Sequence, residues 1–256
     1  MRRVAGYRRG ADMLTVYDLS LRQLASRWRL AVISLLALVP LVPALVAGLA
    51  DDKPTASELD DFLINGLLTA AILPIVVLAV AVAAFGNEIE DGTLSNLTLT
   101  PVRRWHIAAA KVGAVVTLSA PILIATGAVS VAIAYEGSDL AGAASAALAT
   151  GIGMAVGAAV YSAVFVWAGL VTSRALAVGL LYAFVWEGLF ASFVDGARYL
   201  SVRHYTLGII NTIDGSLFAD SDQVTLSGAG PVVGAALVLI AFWALTVRRL
   251  HTMDVP

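Results

Sequence analysis

Few side chains in this sequence are placed to do chemistry. Glu187, in LLYAFVWEGLFASF, is the one carboxylate well inside a long apolar run. Burying a charge there is costly, so such an acid is a candidate proton or cation site on a substrate path. It reads equally as a protonated or hydrogen-bonded structural residue, since a single acid with no evident intramembrane basic partner is a thin basis for a relay. His106, His204 and His251 fall in separate connections or at the ends of apolar runs. Without ligand spacing they predict no zinc site, and each is most simply an interfacial polar residue. With no cysteine, thiolate chemistry and disulfides are excluded. A phosphate-cradling Gly-x-x-x-x-Gly-Lys-Ser/Thr loop needs a lysine that reaches the phosphates. Of the two lysines, Lys53 follows two aspartates and Lys111 follows three alanines. The sequence therefore predicts no catalytic residue, no metal and no cofactor in this chain, and nothing in it points to nucleic acid.

The polar passage FGNEIEDGTLSNLTLTPVRR, residues 85–104, lies between two long apolar runs. Gly86 and Gly92 bracket Glu88, Glu90 and Asp91, and glycines permit sharp changes of direction. Thr93 or Ser95 can cap a short helix that Pro101 stops. Leu94 and Leu97, three apart, then share one face of it. Arg103, Arg104 and Lys111 follow at the start of the next run, where long basic side chains can reach lipid headgroups. A simple connection needs only a few residues. This one reads as a small polar-backed plug with an apolar tip, or else as an ordinary interfacial loop with solvated acids.

The elements that carry these residues belong to a membrane. Of 256 residues 59% are hydrophobic and 13% charged, against about 25% charged in soluble domains. About 20 apolar residues cross a bilayer as a helix. Six segments qualify: 30–49, 62–84, 106–134, 141–171, 176–194 and 231–247. They are continuous rather than alternating, which predicts an all-α membrane protein and not a barrel. The basic N-terminus is not followed at once by a short apolar core, so a secretory leader is not expected. The chain divides into a tail and interfacial helix at 1–29, a transmembrane domain at 30–250 and a C-terminal tail at 251–256.

Orientation follows the basic residues. Thirteen of the sixteen fall on one side: seven arginines before residue 30, then Arg103, Arg104, Lys111, Arg174, Arg248 and Arg249. The opposite connections hold only Lys53, Arg198 and Arg203, with eleven acids, among them Asp51, Asp52, Glu58, Asp60 and Asp61. Both termini and the 85–104 passage are expected in the cytoplasm, and the protein in the cell (plasma) membrane.

Three segments are neither simple span nor simple loop. In 13–28, Leu14, Tyr17, Leu21, Leu24 and Trp28 recur at three- and four-residue steps with charged residues between them. That predicts an amphipathic helix along the cytoplasmic interface, or one packed on another subunit. Residues 195–229 are too apolar for a free loop and too short to span twice. They predict re-entrant half-helices or an outer helix flat on the interface. In 141–171 the small residues include Gly153 and Gly157, a GxxxG pair that reads first as internal packing and second as a subunit interface.

Taken together, Glu88, Glu90, Gly92, Thr93, Leu94, Leu97, Pro101, Arg103, Arg104 and the later Lys111 resemble the signature loop of type-2 ABC transporter permeases, despite Asp91 between Glu90 and Gly92. The six spans, cytoplasmic termini, leading amphipathic helix and long outer segment are similar to that family too. The resemblance implies the membrane-spanning subunit of an ABC exporter. It implies a coupling helix in the 85–104 loop seated in a separate ATP-binding subunit, ATP and Mg on that partner, and a dimer with a second copy or a paralogue in membrane lipid. The rival expectation is a stand-alone proton-coupled secondary transporter using Glu187.

Overall fold

The structure, a computed structural model, describes residues 8–50, 54–90, 102–135, 140–190, 195–218 and 228–253. Every regular element among the described residues is helical. Five helices are long and apolar enough to cross a membrane: Arg27–Leu49, Ala56–Gly86, Arg104–Ala134, Leu140–Val171 and Gly230–Thr252. A shorter apolar helix, Ala175–Phe190, stands where the sequence predicted a span over 176–194, whose last four residues lie outside the described ones.

The N-terminal helix α1 covers Arg8–Leu24, starting before the expected residue 13. Ser26 is extended (φ −62°, ψ 133°) and ends the periodic stripe. Trp28, assigned from sequence to the interfacial helix, therefore sits in the first turn of α2, Arg27–Leu38. After a turn at Val39 and Pro40 the span continues as α3, Leu41–Leu49. Proline lacks the N–H that a continuous helix would use.

The second span starts six residues before its apolar run. Thr55 and Glu58 form a capping box that opens α4, Ala56–Leu59, so orphan amides at the helix start are satisfied by side chains. The helix is π-type over Asp60–Ile72 and returns to α geometry in α5, Leu73–Glu90. Pro74 lies at this transition; a proline ring collides with the carbonyl four residues earlier, and wider turns relieve that contact. α5 also runs through Gly86, where the sequence suggested a change of direction. A mid-helix glycine costs about 1 kcal/mol, which packing of the preceding turns overrides: Ala84 and Phe85 are wholly buried.

The third span, α6, covers Arg104–Ala134, and the fourth, α7, covers Leu140–Val171. α7 is the central post, packed against α5, α6 and the C-terminal helix α10, Gly230–Thr252. It also carries α9, Val202–Ile213, which belongs to the outer segment. Small residues make this possible. A Cβ on Gly153 would lie 2.3 Å from Ile210 Cγ1, and one on Gly157 would lie 2.6 Å from Thr206 Oγ1 and 2.7 Å from Leu73 Cδ2. The GxxxG pair is thus spent on internal packing. Between α7 and α9 lie α8, Ala175–Leu181, its π-type continuation Tyr182–Phe190, and a 3-10 turn, Asp195–Leu200.

Candidate functional site

Two buried polar joints stand out, one at the root of the 85–104 connection and one where Glu187 meets the outer segment.

At the first joint, α5 and α6 frame the connection. Arg103 is exposed and extended at the N-cap of α6 (φ −64°, ψ 135°). Arg104 is half-buried, and its Nη1 has no partner among the described residues. Lys111 departs from the sequence expectation. It does not reach for headgroups: only 1% exposed, it turns inward and its Nζ donates to the Ala84 carbonyl at 2.5 Å. Gln23 Oε1 of α1 lies 3.5 Å from the same nitrogen, and the Phe85 ring centroid 5.3 Å away. The three preceding alanines, Ala108 to Ala110, leave room for the helices to close over it; Ala108 and Ala110 are buried. One cation therefore ties α1, the end of α5 and the start of α6.

α1 lies along α6. Tyr17 Oη is 2.7 Å from Thr117 Oγ1, Leu24 is buried, and Tyr17 and Leu21 pack on the same core. Both ends of the predicted stripe are exposed: Leu14 by 69% and Trp28 by 80%. Asp18 and Arg22 pair at 2.9 Å on the outward face, both exposed, so the pair adds little stability. The backbone of α5 is helical through Glu88 and Glu90. Gly92, Thr93, Leu94, Leu97 and Pro101, which the resemblance marked for coupling, lie outside the described residues.

At the second joint Glu187 is 2% exposed. Tyr161 of α7 donates its hydroxyl to Glu187 Oε2. The amide of Val202, first residue of α9, donates to Oε1 at 2.8 Å. A carboxylate at a helix N-terminus meets unpaired amides and the positive end of the helix dipole. The sequence marks this acid but not its partners, a tyrosine twenty-six residues earlier and a backbone amide fifteen residues on. Ser201 caps the same helix, accepting from the His204 amide at 3.4 Å. The next residue, Arg203, donates through Nε at 3.0 Å and Nη2 at 2.5 Å to Asn65 Oδ1 in the second span.

His204 is not the interfacial residue its sequence position suggested. It is buried, with Nδ1 3.1 Å from Ser201 Oγ. Burial lowers its pKa from 6.5 to about 4, with Arg203 and Arg198 adding to the effect. The chain just beyond α9 is held by Asp60, which accepts from the Tyr135 hydroxyl and from the Phe218 amide at 3.0 Å. Phe218 has φ 63°, a left-handed conformation uncommon for a bulky residue. Asp214 folds the preceding turn, accepting from the Ser216 amide at 3.1 Å and hydroxyl at 2.6 Å. α9 is thus fastened at its start by Glu187 and just beyond its end by Asp60.

Among the described residues no group of three His, Cys, Asp or Glu side chains could hold a metal. Both polar joints link the end of one helix to its neighbours. The family model of the ABC-2 family transporter proteins matches residues 25–189, from the first span through the Glu187 helix. No curated protein matches the chain.

Proposed function

The chain belongs to the ABC-2 family of transporter proteins, and from that premise we propose that it is the permease subunit of an ATP-driven exporter, coupled to a separate ATP-binding subunit through the 85–104 connection. The observation that carries this reading is the joint at Lys111. The two helices that would receive a push from the connection are locked together at its root, so they move as a unit with α1.

Leu94 and Leu97 form the apolar tip that enters the partner, and Glu88, Glu90, Gly92, Thr93, Pro101, Arg103 and Arg104 shape and orient it. ATP and Mg reside on the partner. Two permease chains, identical or paralogous, enclose the path. Ala175–Phe190 with the residues after it completes a sixth crossing, and α9 dips back among the spans as part of the outer roof. Both termini face the cytoplasm, in keeping with the thirteen basic residues on that side. Glu187 belongs to the roof's fastening. Both its oxygens are engaged by groups that fix α9, which supports anchoring over proton carriage.

The test is purification of the tagged chain from native membranes in mild detergent. An ATP-hydrolysing subunit should co-purify and be lost in Leu94→Asp. Transport by the lone chain in proteoliposomes, driven by a pH gradient and abolished by Glu187→Gln, would overturn the reading in favour of a secondary transporter.

A further inference from the structure

An open groove of about 970 Å³ runs between α3 and the start of the second span. Its walls include Val42, Val46, Leu59 and Phe62, and Thr55 and Glu58 stand at one end. Three of the wall residues are widely open: Val42 64%, Val46 66% and Phe62 62% exposed.

The sequence makes this groove in two steps. The break at Pro40 frees α3 from the line of α2, and Gly48 lets α3 lean onto α6. A Cβ at Gly48 would come within 2.8 Å of the Ile133 carbonyl oxygen. With α3 drawn toward α6, its other face stands off from Phe62. The capping box then fixes the polar end. Glu58 Oε2 accepts from the Thr55 amide and hydroxyl, both at 2.9 Å, which holds the exposed carboxylate in place at the groove.

We propose that this groove binds one phospholipid bearing a primary-amine headgroup, with an acyl chain along Val42, Val46, Leu59 and Phe62 and the ammonium on the Glu58 carboxylate. An apolar groove of this size in a bilayer takes up hydrocarbon chain, and the headgroup must match the charge at its mouth. A second copy seated in the groove is the competing occupant, and the variants below separate it from lipid.

An exposed ammonium–carboxylate pair is a weak contact, so the headgroup preference is modest, about threefold to fivefold. The test is native mass spectrometry of the full chain released from nanodiscs of equal phosphatidylethanolamine and phosphatidylglycerol with identical acyl chains. Wild type should retain one lipid, the ethanolamine form about threefold or more over the glycerol form. Glu58→Gln keeps a residue able to complete the capping box, and it should retain a lipid without headgroup preference. Val46→Trp and, from the other end, Val42→Trp should lose the retained lipid while circular dichroism shows the helices intact. Equal retention of both lipids by wild type overturns the proposal. So does a lipid retained undiminished in both tryptophan variants, or a dimer that those variants split.

Discussion

Lys111 Nζ, on the third span, donates to the carbonyl oxygen of Ala84, on the second, at 2.5 Å. The two residues are 27 positions apart and flank the 85–104 connection. A lysine this buried is unusual unless it is paired, and here it accounts for the close approach of two spans and of the N-terminal helix through Gln23.

We predict that Lys111→Met, which keeps length and apolar stem but removes the charged donor, loses about 1.5–3 kcal/mol, the worth of a hydrogen bond to a charged group. The readout is thermal unfolding of the purified chain in detergent. Faster tryptic cleavage at Arg22 and Arg27 should accompany it as α1 loosens. An unchanged melting temperature and cleavage rate would show that the joint carries no load.

Along α7 the glycines divide sharply. Gly153→Ala and Gly157→Ala place a Cβ 2.3 Å and 2.6 Å from α9 atoms, and overpacking of this kind costs about 1–3 kcal/mol. Gly142→Ala meets nothing within 4 Å and should stabilise the same helix by up to about 1 kcal/mol. Melting temperatures that fall for the first two and hold or rise for the third are expected. Equal behaviour of all three would contradict the packing of α9 on α7.

Glu187→Leu removes the acceptor of the Val202 amide. Hydrogen exchange at the first turn of α9 should quicken about tenfold, equivalent to about 1.4 kcal/mol, while exchange within α7 changes little. Tyr161→Phe, which leaves the amide bond in place, should have the smaller effect. Protection of Val202 unaltered by Glu187→Leu would remove Glu187 from its anchoring role.

The buried His204 gives the outer segment a pH dependence with a definite sign. Its pKa is lowered from 6.5 to about 4 by burial, so the folded form resists a proton that the unfolded form accepts. Stability contributed this way is complete above pH 6.5 and is lost as pH falls toward 4. His204→Asn should flatten the melting-temperature profile over that interval. A profile of identical slope in wild type and variant would sink the assignment.

Much of this architecture is legible in the sequence because apolar runs report burial in lipid directly. The four longest runs all recur as helices, and the spacing of Gly153 and Gly157 predicts close packing without naming its partner, α9. What stayed hidden depends on contacts far along the chain. Lys111 reads as a headgroup anchor until the Ala84 carbonyl is placed beside it. Glu187 looks unpartnered because its partners include an amide, which leaves no mark in a residue pattern. Trp28 fits the stripe of α1 by spacing alone, yet the extended Ser26 puts it in the next helix. The Thr55–Glu58 capping box was readable from its spacing, but the apolar run drew the boundary later. Through Gly86, tertiary packing overrides an unfavourable helix propensity.

The central claim is that a separate ATP-binding subunit grips the connection between the second and third spans. Because the chain has no cysteine, Asn96→Cys can carry a photoreactive maleimide as the single label, and illumination of native membranes then reports its neighbour. The account predicts one dominant adduct with an ATP-binding subunit, lost when Leu94→Asp or Leu97→Asp is added. Labelling of position 96 by an impermeant reagent from outside intact cells, or adducts with lipid alone, would contradict it.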